Sequence, residues 1–259
     1  MKIIYPVEAF ALAMVVFSNN MENALLSGII ILFIATLGAV INHYIGIKII
    51  PDWSRKPCNY ILITAITYAV FQIVMGHIPG YSLEGASTLI QLAIGSLIAK
   101  YVIAIEGYED FDKLLLEGAS AYGALIIIGI LREFMTEGSI FNNQLIKLGF
   151  MTVNFQNVAF GFMFAGIAIA ILNRIFKADN KGIESLYVIV PAVLINHPFS
   201  IKALDNSLSI LISILVAVIM LLSVRKTLTF SRVSKEFKHL PIELISVSAI
   251  YMILIAFKL

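Results

Sequence analysis

The chain has 259 residues, of which 60% are hydrophobic and 13% charged, and a formal net charge of +2; its mean hydropathy is +0.95. No soluble fold has enough polar surface to cover so much apolar material, so the composition predicts an all-α polytopic membrane protein in contact with a lipid bilayer. The small net charge gives no electrostatic case for nucleic acid. The single cysteine, Cys58, excludes an internal disulfide framework or an all-cysteine metal site.

Within lipid every backbone polar group must be satisfied internally, so apolar runs of about 17–25 residues are expected to be helices. Nine runs, some of them short, fall near 4–19, 24–45, 58–78, 87–105, 119–135, 156–176, 185–204, 207–224 and 241–258. Ser18–Asn23 (SNNMEN) is too polar for lipid, so either two helices meet there or one broken helix passes through. The expectation is eight to nine transmembrane or half-spanning helices. Lys2 followed by an apolar run superficially suggests a signal peptide, but Glu8 within that run and the lack of a long polar region after it favour a retained helix.

Basic residues cluster at Lys48, Arg55 and Lys56, at Arg174, Lys177 and Lys181, and at Arg225, Lys226, Arg232, Lys235 and Lys238. Stepping helix by helix places loops 48–57, 174–184 and 225–240 on one side, which the positive-inside rule makes cytoplasmic in a multi-pass cell-membrane protein. The acidic stretch Glu106–Glu117 reads as a loop on that side, and 136–155 as a loop on the other.

The most informative stretch is Gly118–Phe141, GASAYGALIIIGILREFMTEGSIF. Gly118, Gly123 and Gly129 would let a neighbouring helix approach closely. Arg132 and Glu133 then end the apolar run. They must either reach the interface by snorkelling or find partners inside the protein. Ser223–Leu228 (SVRKTL) repeats the pattern, with Arg225 and Lys226 ending an apolar helix at the opposite side of the bilayer. Two such copies running in opposite directions would form an inverted repeat, an architecture of transport proteins; two unrelated helices with basic ends would look the same locally.

The run of small residues, apolar residues, Gly-Xaa-Xaa-Arg-Glu and Gly-Ser-Ile-Phe resembles the equivalent helix in the D/E-type membrane subunits of the Rnf and Nqr redox-driven ion pumps. The resemblance continues through Asn154 to Arg174. From Tyr187 to Phe257 the chain is similar to the A-type subunit, with VIVPAVLINHPFSI in the place of a half helix. The resemblance implies a fused pair, D/E-like over 1–178 and A-like over 179–259, within one membrane domain. It also implies membership of a complex in which flavin and iron-sulfur groups sit on partner subunits and electron flow drives Na+ or H+ translocation, with this chain a non-catalytic subunit.

In that family two cysteines per subunit share an iron-sulfur cluster. Here Ile30 and His197 stand at those positions, so no cofactor is expected in this chain itself. What remains is a pair of interruptions: Asn19, Asn20, Glu22 and Asn23 in one apolar run, and Asn196, His197 and Pro198 in another. Pro198 would free backbone carbonyls there. The two interruptions could meet near the midplane and line a polar pathway, or their amides could merely satisfy one another across packed helices.

Other polar residues point to ordinary roles. His43 and His77 are expected at helix ends, Lys100 and Glu106 to snorkel, and Trp53, Tyr44 and Tyr60 to form an interfacial belt. Beside the redox-pump reading stand a stand-alone secondary transporter built on inverted repeats and a cluster-free assembly homologue.

Overall fold

The computed structural model describes residues 5–46, 48–76, 85–105, 108–141, 143–146, 148–149, 151–177, 184–196, 198, 205–228 and 234–257. Among these residues run nine α-helices: α1 (Val7–Val16), α2 (Met21–Ile41), α3 (Asp52–Gly76), α4 (Gly85–Val102), α5 (Tyr108–Glu137), α6 (Val158–Phe176), α7 (Glu184–Asn196), α8 (Asn206–Leu228) and α9 (Leu240–Ala256). A π-helical turn prolongs α2 to Gly46, and a two-residue ribbon, β1 (Ser139–Ile140) with antiparallel β2 (Asn143–Gln144), follows α5. The protein is an all-α bundle in which α2, α3, α5, α6 and α8 are long and apolar enough to cross a membrane.

Each expected run contains one helix, and the boundaries differ for physical reasons. The acidic stretch after Glu106 is not a loop, because α5 begins at Tyr108. No helix breaker stands between Tyr108 and Glu117, and acidic residues favour a helix N-terminus. Likewise α3 begins at Asp52 and takes Pro57 inside it, where the ring removes only one early backbone bond. Two elements are shorter than their apolar runs. Helix α1 has 10 residues, about 15 Å at 1.5 Å per residue, and α7 stops at Asn196, two residues before Pro198, which disfavours helical backbone at its predecessor.

The short α1 is the centre of the bundle. Every side chain from Val7 to Val15 is buried, and α2, α4, α5, α6 and α7 all pack on it. The part after residue 178 is not a separate body, since α9 packs along α6 and α7 against α1 and α4.

Hydrogen bonds between helix ends define the two ends of the bundle. At one end the C-terminus of α1, the N-terminus of α2, the C-terminus of α5 and the turn before α6 meet around Arg132 and Glu133. At the other, Asn59 on α3 donates to Asn42 after α2 (2.6 Å), and Asn42 donates to the carbonyls of Val102 and Ile105 after α4. Asn173 near the end of α6 donates to the Glu236 carbonyl between α8 and α9. The length of α6 separates the two sets, so the hairpin α5–α6 and the hairpin α8–α9 run in opposite directions. All three basic clusters, so far as their residues are described, lie at the second end. Among the described residues the basic side chain at the first end is Arg132, and it is buried.

Candidate functional site

The polar interruption between α1 and α2 is where the sequence and the packing converge. Helix α1 ends at Val16 and α2 restarts at Met21, leaving carbonyls of one helix and N–H groups of the next without intrahelical partners. The Asn20 side chain accepts from Asn23 N at 2.8 Å, an N-cap for α2, and Asn19 accepts from Asn20 N and from Asn23 Nδ2. Glu22, exposed in the first turn, suits the positive end of the helix dipole.

The remaining groups are taken up by the Arg-Glu pair of α5. Arg132 is 1% exposed and does not snorkel. Its Nη1 donates to the Val15 carbonyl and to Ser18 Oγ (2.7 Å), its Nε to the Phe155 carbonyl (3.1 Å), and its Nη2 to the carbonyls of Gln156 (2.8 Å) and Asn157. Glu133, also buried, accepts from Met21 N at 2.8 Å. Cation thus meets the carbonyl end of α1 and carboxylate the amide end of α2, each favoured by the helix dipole. The adjacent residues clamp both sides of the break.

Glycines allow the clamp to close. A Cβ at Gly161 on α6 would lie 2.5 Å from the Val15 carbonyl oxygen and 3.2 Å from Arg132 Nη1, and one at Gly129 would lie 2.8 Å from Ala24 Cβ. Of the three glycines expected to favour close approach, Gly118 and Gly129 do so, whereas a Cβ at Gly123 would meet open space.

The second arginine is held differently. Arg225 Nε donates to Glu243 Oε1 at 2.6 Å and Nη2 to Glu243 Oε2 at 3.3 Å, while Ser185 Oγ donates to Oε2. This triad ties the end of α8 to the first turns of α9 and α7. Lys226 is exposed beside it. Glu243 and Ser185 were not singled out in the sequence; the available signal was Pro-Ile-Glu at the start of the last apolar run, an acidic residue in a first helical turn.

The second interruption is only partly described. Asn196 is exposed and its Nδ2 donates to the Ala192 carbonyl of its own helix; Pro198 is buried in a bend; His197 lies outside the described residues. Among the described residues no hydrogen bond joins Asn196 to Asn19 or Asn20. Ile30 is a buried core residue of α2, 3% exposed. Cys58 is free and exposed on α3.

One further expectation is changed. Lys100 does not simply snorkel, since its Nζ lies 2.6 Å from the Oε1 of the buried Glu8. His43 packs edge-on against Tyr44 near the end of α2; His77 and Glu106 fall outside the described residues. Trp53, Tyr44 and Tyr60 are exposed near the basic end, as an interfacial belt requires.

No family model, curated protein or solved structure matches the chain.

Proposed function

We propose that this chain is an integral membrane subunit of an Rnf/Nqr-type electron-transport complex that couples redox chemistry to Na+ or H+ translocation. In this reading it carries no iron-sulfur cluster of its own, and flavins and clusters sit on partner subunits. The observation that carries the proposal is the Arg132–Glu133 clamp. The residues on which the resemblance rests are built into the core as the device that fastens the joint where α1 ends and α2 turns back, and a second arginine-ended helix runs opposite to α5.

The basic loops would face the cytoplasm. Their position at one end of the bundle supports that orientation through the positive-inside rule. Cys58 gives a direct check, being the single cysteine of the chain and exposed near that end. A membrane-impermeant maleimide is expected to label Cys58 in inverted vesicles and not in right-side-out ones. In a Cys58→Ser background, Asn143→Cys should show the reverse pattern. Labelling of both sites from the same side would refute the topology.

Affinity purification from native membranes in mild detergent under anaerobic conditions tests the assembly. Flavin- and cluster-bearing subunits are expected to co-purify; a lone, colourless chain would count against the proposal. That result would favour the second reading, a stand-alone transporter, for which the short α1 and α7 and the opposed hairpins are the supporting observations, or a cluster-free assembly homologue.

A further inference from the structure

Glu8 occupies the first turn of α1, inside the bundle, and its side chain is fully enclosed, whereas the side chain of Lys100 keeps 43% of its surface exposed. The ammonium contacts Oε1 at 2.6 Å; among the described residues Glu8 Oε2 has no hydrogen-bond partner, although the Tyr101 hydroxyl also faces the carboxylate. A buried carboxylate oxygen without a donor is costly. Glu243, by contrast, has both oxygens occupied, by Arg225 and Ser185.

The surroundings also differ from those of a closed structural pair. From α4 the carboxylate is faced by Lys100 and Tyr101. From α7 the Tyr187 ring holds the Lys100 ammonium at 5.4 Å from its centroid, and the Tyr101 ring holds it at the same distance. On α5, Glu117 accepts from Tyr5 N at 3.4 Å, and on α6 the Phe176 ring packs on Tyr5. Helix α2 carries its charged residue, Glu22, at the far end of the bundle. Among the described residues Lys100 supplies the positive charge for Glu8, and it does so from a partly exposed position. At the basic end Lys100 also forms part of the wall of an open, largely apolar groove of about 510 Å³, lined by Lys56, Pro57, Tyr60, Ile61, Lys100 and Ile103.

We propose that the Glu8 carboxylate is an exchangeable site for a monovalent cation, H+ or Na+, entered from the basic end, with Lys100 as a resident counter-charge that the cation displaces. The ammonium swings from Glu8 toward the groove and remains protonated, while the incoming cation takes its place between the carboxylate oxygens. The two aromatic rings offer the ammonium a favourable position once it is detached. The inference deepens the ion-translocating reading above and rests on it.

The test uses the purified full chain in lipid nanodiscs with dicyclohexylcarbodiimide, and needs no electron donor or partner subunit, so it can fail independently of the redox assembly. A protonated carboxyl adds across the carbodiimide: its oxygen bonds the central carbon and its proton goes to one nitrogen. The O-acylisourea then rearranges to a stable N-acylurea, which peptide mass spectrometry locates. Glu8 is expected to be labelled in the unmodified protein, increasingly so as pH falls, and Glu8→Gln to lose that label. Lys100→Met should raise labelling at neutral pH by about tenfold or more, because the neighbouring ammonium disfavours the protonated form. Slowing by NaCl but not by choline chloride at fixed pH would identify Na+ as the ligand; dependence on pH alone would identify H+. Glu8 unlabelled at every pH in both the unmodified protein and Lys100→Met, while both remain monodisperse, would overturn the proposal.

Discussion

Arg132 illustrates how a charge can stand inside an apolar bundle without a carboxylate at its side. Its fork is filled by four backbone carbonyls and one hydroxyl. Removing it takes a donor from each of them; the Asn157 carbonyl keeps Phe160 N, whereas an acceptor that water cannot reach, such as the Val15 carbonyl on buried α1, would cost about 1–3 kcal/mol. Arg132→Met is therefore expected to lower the thermal unfolding midpoint in detergent markedly, and Arg132→Lys to recover little, since a lysine presents no planar fork. Equal midpoints for Arg132→Lys and the unmodified protein would refute the geometric argument. Glu133→Gln should be milder than Glu133→Ala, because the amide oxygen can still accept from Met21 N. Asn20→Ala removes the α2 cap and should cost about 1 kcal/mol. At this scale the sequence was informative about which residues matter and silent about how. The pair Arg132–Glu133 stands out beside an apolar run, yet the sequence favours snorkelling to the interface, the ordinary reading of such a helix end, over internal pairing. Only the fold shows that the break at Ser18–Asn20 is what the pair holds. Glu8 and Lys100 lie 92 residues apart, and no local pattern could have joined them.

Between elements, close approach is set by glycines that face backbone. Gly161→Ala would place a methyl 2.5 Å from a carbonyl oxygen that cannot rotate away, so α6 must shift from α1; a loss of about 1–3 kcal/mol is expected for overpacking. Gly123→Ala, which would meet open space, should be neutral or slightly stabilising, because glycine is a poor helix residue. Paired thermal melts of the two variants check this, and a larger loss at Gly123 would contradict the packing described. The apolar runs gave the number and order of the helices, because in lipid no other backbone solution is open to them. Their lengths were less legible. Hydropathy joins residues 4–19 into one run although α1 occupies only Val7–Val16. It also ends the fifth run at residue 119 although α5 extends back through acidic, helix-compatible residues to Tyr108. The hydrogen bonds that stop or prolong a helix come from elsewhere in the bundle.

For the molecule as a whole, the alternation of loops and the gathering of basic residues at one end were legible from spacing and charge. The opposed α5–α6 and α8–α9 hairpins give that arrangement its physical form. Each is fastened by an arginine at its own end: Arg132 over the α1–α2 break, Arg225 through Glu243 to α7 and α9. Breaking either clamp should loosen one end first. Arg225→Met and Glu243→Gln are expected to be less damaging together than the sum of the two alone, since each single change leaves a buried partner unsatisfied; additive losses in a double-mutant cycle would show that the pair does not act as a unit.

The measurement that bears most directly on the redox-driven ion-pump account is donor-driven cation uptake into inverted membrane vesicles, compared between a strain with this chain and a strain deleted for it. With reduced ferredoxin or NADH as donor, vesicles containing the chain should accumulate Na+ or H+. Vesicles lacking it should lose that uptake and regain it when the chain is supplied again. Uptake that is unchanged by the deletion, with the other subunits still assembled, would contradict the account.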